Sequence, residues 1–300
     1  MNCENGQTTC EAPDACANEE REEKLLASQN RDDGRPPWRR VLEREKTLII
    51  VGIIFFLLLN TKTGRYVLYP FEIFTTWVHE MCHGTAALLM GGSIAYIEVY
   101  ENGGGVCGSS VPGGQWRSAF VSSAGYPGAT FWGCVMLLFR RTTLGPTIGM
   151  IGAGLLIILS VILYVQNQWG IIVLSIYGVV LVLCGWLLPA VLLDHLFAFL
   201  GVACSMNAME DIQNLYGFGT DAGTDAHTVA KYWGGSHITW ATCWLIFGIV
   251  MTFIGIVFAR DAREVSTANG YYSNGSKTHS DYTATLGTSQ EGLAYWKPNV

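Results

Sequence analysis

The chain has 300 residues, of which 50% are hydrophobic and 14% charged, and its mean hydropathy is +0.29. Soluble domains carry about 25% charged residues, so this composition excludes an ordinary water-soluble enzyme, and its apolar content excludes disorder for most of the chain. A net charge of -6 and a pI of about 5.5 argue against nucleic acid as a partner, because phosphate binding needs a basic face. The expectation is an all-α polytopic membrane protein, integral and multi-pass, with the lipid bilayer as its solvent.

Residues 1–46 are polar and charge-mixed, contain no apolar core of a signal peptide, and read as a flexible N-terminal tail. Residues 47–59 (TLIIVGIIFFLLL) form the first apolar stretch, and Arg39, Arg40, Arg44 and Lys46 before it favour a cytoplasmic N-terminus. A loop is expected at residues 60–70. Residues 71–90 form a second apolar helix carrying Glu72, His79, Glu80 and His83, and Gly91-Gly92 should end it. Residues 93–100 (SIAYIEVY) are β-branched and aromatic and read as a strand. The glycines at 103–105 make a turn, and residues 106–111 return as a short β-hairpin or re-entrant segment. Apolar stretches follow at 118–139, 144–165, 169–188, 190–206 and 237–259, with Pro189 between two of them. The total is six or seven transmembrane helices. Residues 207–236 are polar and Gly-rich, and residues 260–300 read as a second flexible tail. The expected organisation is therefore a tail (1–46), a polytopic membrane domain (47–259) and a tail (260–300). The nine cysteines form no CxxC pair and read mainly as small hydrophobes. No internal repeat of the transporter kind is present.

The chemistry concentrates in His79-Glu80-Met81-Cys82-His83. Residues four apart share one helix face, so two imidazoles there can bind one Zn²⁺. Glu80, beside the first ligand, can act as general base on the water that the metal activates. Ionisable groups inside an apolar helix are costly and usually serve a site. A catalytic zinc keeps three protein ligands and one open position. The extended HExxHxxGxxH pattern is absent, since Ala86 and Leu89 stand at its Gly and His positions. The third ligand must come from elsewhere. Asp211, at the end of an apolar helix, can complete the site, and Asn207, one turn before it, can orient substrate or an oxyanion. Other candidates are Glu98, Glu101, Asp194, His195, Asp221, Asp225, His227 and His237, with Asp225 also suited to a helix N-terminus.

This pattern resembles a known family. An HExxH in an early apolar helix, a Gly-Gly end, a strand with a GGG turn and a late aspartate resemble the site-2 proteases, intramembrane zinc metalloproteases. The run HEMCHGTAALLMGGSIAYIEVYENGGGVC is similar to their small metalloprotease-like members, as are SAGYPGATFWG and SMNAMEDI followed by Thr-Asp-Ala at 224–226. The resemblance spans roughly residues 70–260. It implies zinc held by His79, His83 and Asp211, Glu80 as catalytic base, and cleavage of a peptide bond in or near a transmembrane segment of a membrane-protein substrate. Asp211 is followed by Ile212 and Gln213, where better-studied members carry a Leu-Asp-Gly motif. The strand segment, through Ile94 and Tyr96, offers an edge for an extended substrate, and Gly103, Gly104 and Gly105 let backbones approach. Two other readings compete: a non-catalytic membrane scaffold or chaperone, which should have lost Glu80 or a histidine, and a proton or metal transporter, which should show repeats.

Overall fold

A computed structural model describes residues 46–140, 142, 144–217 and 223–258. The expected tails, apart from Lys46, and the candidate ligand Asp221 lie outside these residues. In chain order the described elements are helices α1 (Lys46–Leu59) and α2 (Lys62–Leu89), strands β1 (Ser93–Val99) and β2 (Gly105–Ser110), and helices α3 (Gln115–Ser122) and α4 (Gly125–Phe139). These are followed by α5 (Gly145–Leu163), α6 (Gln168–Leu187), α7 (Ala190–Leu215), α8 (Asp225–Trp233) and α9 (His237–Phe258).

Helices α5, α6, α7 and α9 are each long and apolar enough to cross a bilayer. In α5, α6 and α9 only 28% of the apolar window is buried within the protein. Ile148, Leu159, Ile176, Leu183, Ile249 and Phe253 are all exposed on them. So much contiguous apolar surface is incompatible with water, and the chain is an integral multi-pass membrane protein. The expected six or seven spans become four among the described residues, or five if α1 and α2, bent by 115° at a short break, count as one. Two boundaries account for the difference. Residues 118–139 divide into α3 and α4 at Ser123-Ala124, leaving α4 with 15 residues. The loop expected at 60–70 shrinks to Asn60-Thr61, because Thr61 caps α2 by accepting from the Gly64 amide at 3.0 Å.

Small residues set the helix spacings. A methyl group on Gly154 of α5 would lie 2.6 Å from the Gly178 carbonyl of α6, and one on Gly133 of α4 would lie 2.6 Å from the Gly201 carbonyl of α7. Lipid tails are as apolar as the helix surfaces, so close backbone packing of this kind drives association in place of the hydrophobic effect. A buried bidentate ion pair adds to the α4–α7 contact: Arg140 donates to Asp194 through Nε at 2.9 Å and through Nη2 at 2.6 Å.

The hairpin forms as expected. Gly91, at φ +76, ends α2, with Gly92 N–H bonded to the Ala87 carbonyl at 2.9 Å. β1 and β2 pair antiparallel, Ile97 opposite Cys107 and Val99 opposite Gly105. The edge of β1 away from β2 is already covered. Ile97 N–H donates to the Tyr164 carbonyl at 2.8 Å, and the Asn167 side chain accepts from Val99 N–H at 3.3 Å and donates to Val99 C=O at 2.6 Å. No other strand pairs with the opposite edge of the sheet, on β2, among the described residues.

Candidate metal centre

The 28-residue α2 passes through the centre of the fold. The i, i+4 spacing places both histidine rings on one face, 4.6 Å apart between centroids. That face meets the end of α3, the start of α4 and the start of α8. His83 Nδ1–H donates to the Val121 carbonyl at 2.7 Å, which leaves the Nε2 lone pair of the neutral ring free for a cation. Nε2 of His83 lies 2.9 Å from Nε2 of His79. Oδ2 of Asp225, the first residue of α8, lies 3.1 Å from His83 Nε2 and 3.3 Å from His79 Nε2.

These three atoms form the group of ligand-type side chains that can hold a metal ion among the described residues. Tetrahedral zinc with bonds of about 2.0–2.1 Å would hold its ligand atoms about 3.3 Å apart, close to the spacings found. A proton can bridge one of these contacts, whereas a cation between the three atoms satisfies them all. Gly125 keeps the space open. A methyl group there would lie 2.4 Å from His79 Cε1 and Nε2 and 2.5 Å from His83 Nε2. The two-nitrogen, one-oxygen donor set suits zinc. Burial alone would push the Asp225 carboxyl up, but the charge and hydrogen bonds of His83 and His79, when these imidazoles are protonated, hold it well below the usual carboxylate range.

Glu80 is buried on the adjacent face of α2, beneath β2, where the Cys107 backbone N–H faces its carboxylate. Gly105 lies over it, a methyl group there falling 2.9 Å from Glu80 Cγ. Gly103 packs on Glu72 in the same way and takes a φ of +85. Histidines, Glu80 and the outer side of β2 enclose a cavity of about 530 Å³, whose wall continues over Glu72, Tyr126, Asp211 and Asn214.

Three sequence assignments change. Asp211 lines the cavity but is not grouped with the two histidines, whereas Asp225 is. α7 runs to Leu215, nine residues beyond the expected end, and carries Asp211 past the histidine pair, while Thr224 N-caps α8 so that Asp225 opens that helix facing them. Asn207 is buried in α7 away from the cavity wall, with Nδ2 unpartnered among the described residues. Ile94 and Tyr96 do not reach the cavity. Tyr96 covers Gly108, Ile94 packs on Gly84, and their strand has both edges occupied. Gly103, Gly104 and Gly105 do line it. The remaining candidates have other partners. Glu98 accepts from the Tyr100 hydroxyl at 2.5 Å, Glu101 is exposed, Asp194 pairs with Arg140, and His195 is exposed with Nδ1 bonded to the Val191 carbonyl at 2.6 Å. His227 bonds Thr224 Oγ1 at 2.7 Å and stacks on His237 at 4.1 Å, bracing the start of α8. Gly125 and Tyr126 were missed as site residues. The only hint in the sequence was their place in the small-residue run after Ser123.

Comparison with curated proteins and with solved structures finds no significant match. A family model described as Peptidase M50B-like matches residues 48–255, which include the histidine pair, Glu80, the hairpin and Asp225. The chain therefore belongs to the Peptidase M50B-like family, of the site-2 protease kind of membrane metalloproteases.

Proposed function

We propose that the protein is a zinc-dependent intramembrane endopeptidase that hydrolyses a peptide bond in or near a transmembrane segment of a membrane-protein substrate. The observation that carries this reading is the convergence of His79 Nε2, His83 Nε2 and Asp225 Oδ2 beside a buried Glu80 on the wall of one cavity. His79, His83 and Asp225 would hold the ion, which supplies Lewis-acid polarisation of water and carbonyl. Glu80 takes a proton from the attacking water and passes it to the leaving amine. A helical peptide bond is shielded, so substrate must enter extended. Cys107 N–H points away from β1, toward Glu80, so the main-chain groups of Gly105, Cys107 and Ser109 share the side of β2 that faces the cavity. An added substrate strand there lies beside the catalytic groups, the role first expected of Ile94 and Tyr96.

The test is zinc content of detergent-purified protein, with cleavage of a membrane-spanning peptide followed in parallel. Wild type should carry one zinc per chain, His83→Ala and Asp225→Ala none, and Asp211→Ala one. Glu80→Gln should keep zinc and lose cleavage. Zinc retained in Asp225→Ala and lost in Asp211→Ala refutes the ligand set. A zinc-free wild type moves the scaffold and transporter readings ahead.

A further inference from the structure

Asn207 lies away from the cavity and is not placed to donate to a substrate carbonyl. Tyr126 is the second residue of α4, next to the glycine that faces both imidazoles. Its ring stands edge-on to His79 at 4.5 Å between centroids, and its other side rests against buried Trp244 at 5.5 Å. Trp244 is itself anchored, its Nε1 donating to Ser123 Oγ at 3.2 Å. The side chain lines the cavity, yet its hydroxyl has no hydrogen-bond partner among the described residues. It lies within electrostatic reach of Asp225, Asp211 and Glu80. Three other polar side chains on the wall are engaged: Thr76 donates to the Gly103 carbonyl at 2.6 Å, Asn214 donates to Glu210 at 3.1 Å, and Thr224 Oγ1 pairs with His227 Nδ1 at 2.7 Å. A partly buried tyrosine usually finds a partner for its hydroxyl, and this one is held rigidly beside a metal-ligand histidine without one.

We propose that Tyr126 is a catalytic residue whose hydroxyl donates a hydrogen bond to the oxygen of the scissile carbonyl as that oxygen gathers negative charge. The proposal rests on the protease reading above. A donor fixed before the reaction stabilises the charged transition state more than the neutral ground state, and so raises kcat rather than lowering KM. The hydroxyl supplies that donor without adding a second positive charge next to the ion.

The test is Tyr126→Phe in the full chain in detergent micelles, since phenylalanine keeps the packing on His79 and Trp244 and removes only the hydroxyl. Zinc content should remain one per chain. The probe is a peptide hydroxamate, whose oxygens chelate zinc and mimic the charged carbonyl. Its Kd should rise about tenfold, a change of about 1.4 kcal/mol. With a fluorogenic membrane-spanning peptide, kcat should fall at least about tenfold with KM unchanged. Zinc present in both proteins with equal hydroxamate affinity overturns the role of Tyr126 and leaves the protease reading standing. Zinc absent from wild type overturns both.

Discussion

Gly125→Ala should weaken metal binding by about two to three decades without a change to any ligand. Gly125 is helical and is not among the positive-φ glycines, so alanine costs nothing in backbone strain there. The effect is steric. The added methyl would lie 2.4 Å from His79 Nε2 and 2.5 Å from His83 Nε2, and ordinary contact begins at 3.4 Å. One ring or the helix must therefore yield by about 1 Å, whereas metal–ligand distances tolerate about 0.2 Å. His83 cannot swing freely, because Nδ1 is held by the Val121 carbonyl at 2.7 Å. Structural zinc sites bind with about 10–16 kcal/mol, or about 2.5–4 kcal/mol for each of four ligands, so displacing one histidine should raise the zinc Kd by about two to three decades. The assay is competition for zinc against a chromophoric chelator, with thermal unfolding as the check on folding. Gly152→Ala in α5 is the control, since its methyl meets nothing within 4 Å. Wild-type zinc affinity in a folded Gly125→Ala protein would refute the assignment of this glycine and the packing of α4 on the histidines.

Two further expectations concern a buried ion pair and a partly buried thiol. Arg140→Met leaves Asp194 charged and unpaired in a buried position, which should cost about 3–5 kcal/mol. The double variant Arg140→Met, Asp194→Leu should recover most of it, and denaturation in SDS–detergent mixtures measures both. Burial, with Glu80 adding to it, pushes the Cys107 thiol from 9.0 up to about 12. At pH 8 its thiolate fraction is then about a thousandfold below that of the unfolded chain, and the greater basicity of the thiolate recovers about twentyfold in rate. Iodoacetamide should therefore modify native Cys107 about 50-fold more slowly than denatured Cys107, with the native rate still climbing between pH 8 and 11. Peptide mass spectrometry reads the rates, and equal rates in the two states would contradict the burial of this thiol.

The parts of the site legible in the sequence are those set by short-range geometry. His79 and His83 share a face because they are four residues apart, and Glu80 follows its histidine directly. Gly91 ends α2 because the chain there must turn through a left-handed conformation. The alternating, β-branched run after it could only be a strand. The apolar runs of α5, α6 and α9 announce a membrane protein, because nothing but lipid accommodates such surfaces. The third ligand is another matter. Asp211 and Asp225 are both carboxylates near helix ends, more than 125 residues from the histidines, and no local pattern separates them. Only the packing of α7 and α8 against α2 decides that Asp225 reaches the imidazoles and Asp211 stops along the cavity wall. The open edge of the hairpin is decided in the same way. Residues 164–167, far along the chain, cover β1 and leave the free side of the hairpin on β2. Tyr126 and Gly125 became site residues because α4 docks with its first turn on the histidines, a contact between elements more than 40 residues apart. Sequence spacing determines what shares a helix face or a turn. Which faces meet depends on small-residue packing among helices that the bilayer leaves otherwise equivalent, and that is a property of the folded chain alone.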